Sequence, residues 1–116
     1  AYVGTIELYT MFASKAVVER NPDAVRRFLT AWYETVDFMK SHKAESVAIS
    51  AKVMGHTPTV EARVYDRLVG KLSSTGKFSP QAIETLKASF IATKSVDQSV
   101  DMKTLYTEEF LPKAST

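Results

Sequence analysis

The 116 residues carry 15 Lys and Arg against 13 Asp and Glu, a formal charge of +2, with 45% hydrophobic and 24% charged residues. This is the usage of a folded domain, or part of one, able to bury roughly two-thirds of its unfolded surface. So small a charge gives no argument for nucleic acid. No apolar run approaches the ~18 residues of a membrane-spanning helix, and the absence of cysteine excludes disulfides, zinc–thiolate sites and thiol chemistry within this chain.

The opening AYVGTIELYTMF has neither an initiator Met nor a charged leader, which predicts a mature product or a fragment. It is the one strand candidate. Ile6, Leu8, Thr10 and Phe12 alternate with Glu7, Tyr9 and Met11, yet nothing else in the chain is available to pair with it, and a lone strand leaves two open edges. From Ser14 to Arg20 the run SKAVVER allows a turn or two of helix. The first long helix is expected from about Pro22 to Ser41. Asn21 is placed to cap it, Pro22 suits its first position, and Asp23 sits near the positive end of the dipole. Val25, Phe28, Leu29, Trp32, Val36 and Met39 form its apolar stripe, with Tyr33 on the margin and Arg26, Arg27, Thr30, Glu34 and Asp37 opposite. Phe38 falls on the polar side, where it covers a neighbour or marks a surface for a partner.

A second helix is expected from about Ala44 to Met54 with Val47, Ala48, Ala51 and Met54 inward, and Gly55 follows where a left-handed residue ends a helix at least cost. Thr57 and Pro58 open a third helix whose stripe is Val60, Val64, Leu68 and Leu72, flanked by Tyr65. The linker SSTGKF is turn-rich. Ser79 and Pro80 open a fourth helix with Ile83, Leu86, Phe90 and Ile91 inward. A short last helix near Asp101 to Tyr106 precedes a Phe110-Leu111 anchor and a polar tail. The three cap-Pro openings differ in spacing and side chains, so they are no internal repeat. The expected class is mainly α, a bundle of about five short helices with one N-terminal strand-like segment.

Chemistry-bearing residues are sparse. His42 and His56 each fall at a helix boundary with no second ligand at i+3 or i+4, which makes them solvated or capping residues rather than metal ligands. Arg63, Arg67 and Lys71 recur every fourth residue beside the third apolar stripe. They suit a phosphate or an acidic partner, although Glu61 and Asp66 nearby allow the plainer account of a solvated face. Asp97, Asp101, Glu108 and Glu109 show no sign of enclosure, as paired-carboxylate chemistry requires. Ser73, Ser74 and Thr75 lack a nearby His or a Gly-x-Ser-x-Gly elbow. The four glycines, at 4, 55, 70 and 76, form no phosphate loop. Trp32 is expected in the core and Tyr33 at its border. No catalytic residues, metal or cofactor are expected.

The order of elements resembles a known family. IELYTMFAS, then SKAVVER, then NPDAVRRFLTAWYETVDFMKSH with Ala31 at its middle, then KAESVAISAKVMGHTPTVEARVYDRL with a Gly55-His56-Thr57-Pro58 opener, is similar to the C-terminal region of one group of substrate-binding proteins. These are the periplasmic nitrate, sulfonate, taurine and thiamine-precursor binding proteins of ABC transporters. DMKTLYTEEFLPKA continues the likeness through Asp101, Leu105 and the Phe110-Leu111 pair, so that it runs from Leu8 to about Ala114.

That resemblance implies a fragment of a two-lobed α/β type II periplasmic-binding fold, with the ligand between lobes joined by two crossing strands. Residues 1–13 would be a crossing-strand or hinge segment, 14–113 the helical C-terminal part of lobe one, and 114–116 a tail. It implies capture of a small organic or anionic solute, an ABC-transporter permease as partner, and a periplasmic or lipid-anchored extracytoplasmic place for the intact protein. Tyr9 and Thr10 are the residues it brings near a ligand, by position alone. Surfaces left uncovered in such a fragment, Phe38 and the strand edge among them, are expected to favour a homo-oligomer. The competing expectation is an independent helical module holding a partner helix in an apolar groove. An enzyme lacks any convergent set of nucleophile, base or metal ligands.

Overall fold

Helix starts in this chain follow its small polar residues. In a computed structural model describing residues 10–113, five α-helices run in order: α1 Lys15–Arg20, α2 Pro22–Ser41, α3 Lys43–Met54, α4 Pro58–Leu68 and α5 Pro80–Ala92. A 3-10 turn at Val69–Lys71 prolongs α4, and another covers Met102–Thr104. The hydroxyls of Ser14, Thr57 and Ser79 accept from the N–H groups of Val17, Val60 and Ala82, each satisfying a first-turn donor that has no partner within the helix. Pro58 and Pro80 directly follow two of these caps, and Pro22 follows Asn21. Gly55 closes α3 with φ 70°, a left-handed conformation that a side chain would strain.

Asn21 departs from its expected role, for its side chain makes no capping bond to α2. The residue is shared: its N–H donates to Val17 O and closes α1, while its carbonyl accepts from Ala24 and Val25. Its resulting conformation, φ −137° and ψ 56°, serves the junction through the backbone instead. His42 plays the same double part between α2 and α3. Its N–H donates to Phe38 O, its carbonyl accepts from the Ser46 N–H and hydroxyl, and its ring stacks on Phe38 at 4.4 Å.

The core is thin. Val36, Val47, Ala51, Ala82, Ile83, Met102 and Phe110 are its buried apolar residues. The α3–α4 hairpin is the closest helix pair, with α2 alongside and the Tyr65 hydroxyl of α4 donating to Met39 O of α2. The C-terminal segment returns to α2: Arg26 lies 5.2 Å over the Phe110 ring and 3.7 Å from the Glu109 carboxylate. The Phe110-Leu111 anchor is thus realised. The linker packs tightly where Gly76, at φ 71°, passes beneath the Tyr33 phenol and Leu111. Burial there pushes the Tyr33 hydroxyl above its ordinary pKa.

Several expectations are corrected. Ile6, Leu8 and Tyr9 lie outside the described residues. Residues 10–13 form no strand, and no strand occurs among the described residues, so backbone donors there have no ladder to join. The buried side of α2 centres on Val36 and turns toward Tyr33, leaving Trp32 and Phe28 exposed. Ala48 and Met54 of α3 face outward while Ser46 is buried and Ser50 half-buried. The stripe is turned outward along α4 itself, where Val60 and Val64 are each 46% exposed and Leu68 36%, while Leu72, past the 3-10 turn, is half-buried; the covered side holds Glu61, Ala62 and Tyr65. The last helix is reduced to the Met102–Thr104 turn, where the Asp101 side chain accepts from the Lys103 N–H. The α5 stripe, by contrast, packs as expected on Ile83, Leu86, Phe90 and Ile91.

The accessible surface is 9257 Å². A compact chain of the 104 described residues, about 11.6 kDa, exposes about 5,800 Å². Allowing the remaining twelve residues the full area of an unfolded chain, about 1,900 Å², leaves an excess of roughly 1,500 Å². Exposed apolar side chains lie on α2, α3 and α4, and also at Met11, Phe12, Val17 and Leu105.

Candidate functional site

Thr10, the described member of the expected ligand pair, is exposed, and Tyr9 lies outside the described residues. Polar groups converge instead at the α3–α4 junction. Gly55 reverses the chain after α3, and the His56 N–H donates to Ala51 O at 3.2 Å. Thr57 then caps α4, so that Glu61 falls one turn in, its carboxylate near the positive end of the helix dipole. The Ser50 hydroxyl donates to Glu61 Oε2 at 2.6 Å, and His56 Nδ1 lies 2.6 Å from Glu61 Oε1. Glu61 is only 5% exposed.

These bonds decide the electrostatics. The Ser50 hydroxyl, followed by the His56 imidazole, holds the Glu61 carboxyl below its ordinary value against the opposing effect of burial. A carboxylate so stabilised stays charged and needs both partners, because an unsatisfied buried anion is strongly disfavoured. The order of contacts matters for chemistry. A hydrolytic triad places the imidazole between hydroxyl and acid, whereas here the carboxylate sits between Ser50 and His56. The hydroxyl proton is committed to the carboxylate, so the arrangement ties helices together and does not activate a nucleophile.

The other candidates are engaged in local turns or in single long-range hydrogen bonds. Ser73 Oγ accepts from the Thr75 and Gly76 N–H groups, and Ser74 Oγ accepts from Lys40 Nζ. Thr75 Oγ1 accepts from the Lys77 N–H. Glu108 accepts from the Phe78 N–H at 2.8 Å. Asp97 accepts from the Ser99 N–H and hydroxyl, which together lower its pKa. A shallow open depression lies beside Asp97, lined by Ile91, Lys94 and Val96 among others. Among the described residues no three His, Cys, Asp or Glu gather as a metal would need, and no helix is long and apolar enough to cross a membrane.

Arg63, Arg67 and Lys71 are all exposed. The acids expected to offset them are occupied elsewhere, Glu61 with Ser50 and His56 and Asp66 with Lys43. The periodic valines beside Glu61 concealed its burial from sequence reasoning; the one available signal was an acid four residues after a cap.

Comparison with protein-family models, with curated proteins and with solved structures returned no match to this chain.

Proposed function

We propose that this chain is the helical C-terminal part of a solute-binding protein, non-catalytic, serving ABC-transporter import of a small organic or anionic solute from the periplasm. The observation that carries the reading is the roughly 1,500 Å² of accessible surface beyond that of a compact chain, with apolar side chains of α2 and α3, Phe28, Trp32, Ile49 and Val53 among them, left outward. Such faces suit helices that finish a lobe whose sheet lies elsewhere in the protein. The helix order and the Gly55-His56-Thr57-Pro58 turn support it, since the resemblance rests on the same order. Capture in such proteins works by closure of two lobes about their crossing strands. The ligand contacts then fall mostly outside this chain.

The test is to establish the natural reading frame on both sides of this sequence and purify the complete product. Its melting is then measured against nitrate, taurine, other sulfonates and pyrimidine precursors of thiamine. The reading expects an α/β region upstream and a rise in Tm of several degrees with one of these solutes. A reading frame with no such region, or no response to the panel by a folded complete product, would overturn it.

The second reading, an independent helical interaction module, is favoured by a different observation. The outward stripe of α4 is aliphatic, regular and edged by cations that form no ion pair among the described residues.

A further inference from the structure

On the outer side of α4, Val60, Val64 and Leu68 recur at i, i+4 and i+8 and remain between a third and a half exposed. Positions four apart lie above one another on a helix, so these three make a continuous strip. Arg63 and Arg67 run along one flank of that strip, and Lys71 continues it into the 3-10 turn. Every acid of α4 is directed away: Glu61 to Ser50 and His56, and Asp66 to Lys43. The described residues thus contribute no ion pair to Arg63, Arg67 or Lys71. An apolar strip with one uncompensated cationic flank specifies its complement.

We infer that the outer face of α4 docks an acidic amphipathic helix of a partner protein. Aliphatic side chains of that helix pack on Val60, Val64 and Leu68, and its carboxylates meet Arg63, Arg67 and Lys71. The charge pattern opposes a second copy as occupant. In an antiparallel pairing of two α4 helices like flanks meet, setting Arg63 and Arg67 against themselves. In a parallel pairing that flank would need the opposite edge of α4, which is already covered where Glu61 bonds to Ser50 of α3. A lipid surface is disfavoured as well. The helix has 11 residues and its strip carries no Trp or Phe of the kind that seats interfacial helices. The inference rests on the second reading, that of a helical interaction module, and assigns the outer face of α4 to a partner rather than to the rest of a lobe.

The test uses three probes against the whole chain. One is a labelled helical peptide of about 16 residues with Leu at i, i+4, i+8 and i+12 and Glu along both flanks. The second is the same peptide with Lys for Glu, and the third is a suspension of phosphatidylglycerol vesicles. The acidic peptide is expected to bind by fluorescence anisotropy, with affinity that falls as salt rises. Val64→Asp and the triple change Arg63→Glu, Arg67→Glu, Lys71→Glu should each weaken it at least about tenfold. The triple variant should instead bind the Lys peptide, and that reversal distinguishes charge recognition from damage to the fold. All four sites are exposed, and circular dichroism checks that the helices persist. Failure of the acidic peptide to bind, or equal binding of both peptides, overturns the inference. So does vesicle binding lost in the triple variant without peptide binding, or a dimer in sedimentation that Val64→Asp dissociates.

Discussion

Helices α4 and α5 open with the same device and bury the same position, yet only one of them buries its apolar stripe. Thr57 and Ser79 cap through their hydroxyls, and Pro58 and Pro80 follow. Four residues after the cap lies Glu61 in α4 and Ile83 in α5, exposed by 5% and 6%. Three residues after the cap lies Val60, half-exposed, and Ala82, wholly buried. The two helices thus share one buried position although their covered faces are rolled relative to each other, and the side chain at that shared position decides the consequence. In α5 an isoleucine fills the core. In α4 a carboxylate is accepted because Ser50 and His56 satisfy it, and the valine strip is turned to the outside.

The variants that break or sharpen this comparison descend in size. Ile83→Ala should cost about 2–4 kcal/mol in chemical denaturation, because it empties a buried aliphatic site. Gly76→Ala should cost about 2 kcal/mol or more. Its φ of 71° resists a side chain, and the new methyl would run into the Tyr33 ring and Leu111. Ala82→Val should cost about 1–3 kcal/mol by overfilling the core, whereas Val60→Ala, the matching position of α4, should stay within about 0.5 kcal/mol. Equal costs at Ala82 and Val60 would remove the contrast between the helices.

The pH dependence separates the two buried positions further. Glu61 has a folded pKa below its ordinary 4.5. Its contribution is therefore present above that ordinary value and is lost as pH falls below 4.5 through the folded pKa. Glu61→Gln should make the acid limb of the stability curve shallower and leave Ile83→Ala variants with the parent slope. An unchanged acid limb in Glu61→Gln would mean that the carboxylate is not held by Ser50 and His56.

Local chemistry was the part of this fold legible in the sequence. Thr57, Ser79 and Gly55 announced their ends because capping needs only neighbouring backbone groups, and α2 runs over its expected span of Pro22 to Ser41. Roll was not legible. Periodicity reports which face of a helix is apolar and says nothing about which face is covered, so Val60, Val64 and Leu68 were read as core while Tyr65 and Glu61 carry the contact. The same limit misplaced Trp32, which is exposed, while Tyr33 sits half-buried at the border as expected; the linker passing at Gly76 covers it, and no local pattern announces a contact across 43 positions. Asn21 misled for another reason, being claimed by the end of α1 as well as the start of α2. As for the site, Glu61 looked like a counter-charge for Arg63 and Arg67, since acids are seldom buried without visible partners. Its partners lie on another helix and in the preceding turn.

The outward roll of α4 is the central claim, and the lack of cysteine in the chain permits a direct measurement. Single variants Val64→Cys, Tyr65→Cys and Ile83→Cys are prepared, and the rate of each thiol with a small alkylating reagent is compared with the same protein in denaturant. The account predicts that the Val64→Cys thiol reacts at close to its denatured rate, while those of Tyr65→Cys and Ile83→Cys are strongly protected. Protection at Val64 together with rapid reaction at Tyr65 would place the valine strip in the core and contradict the account.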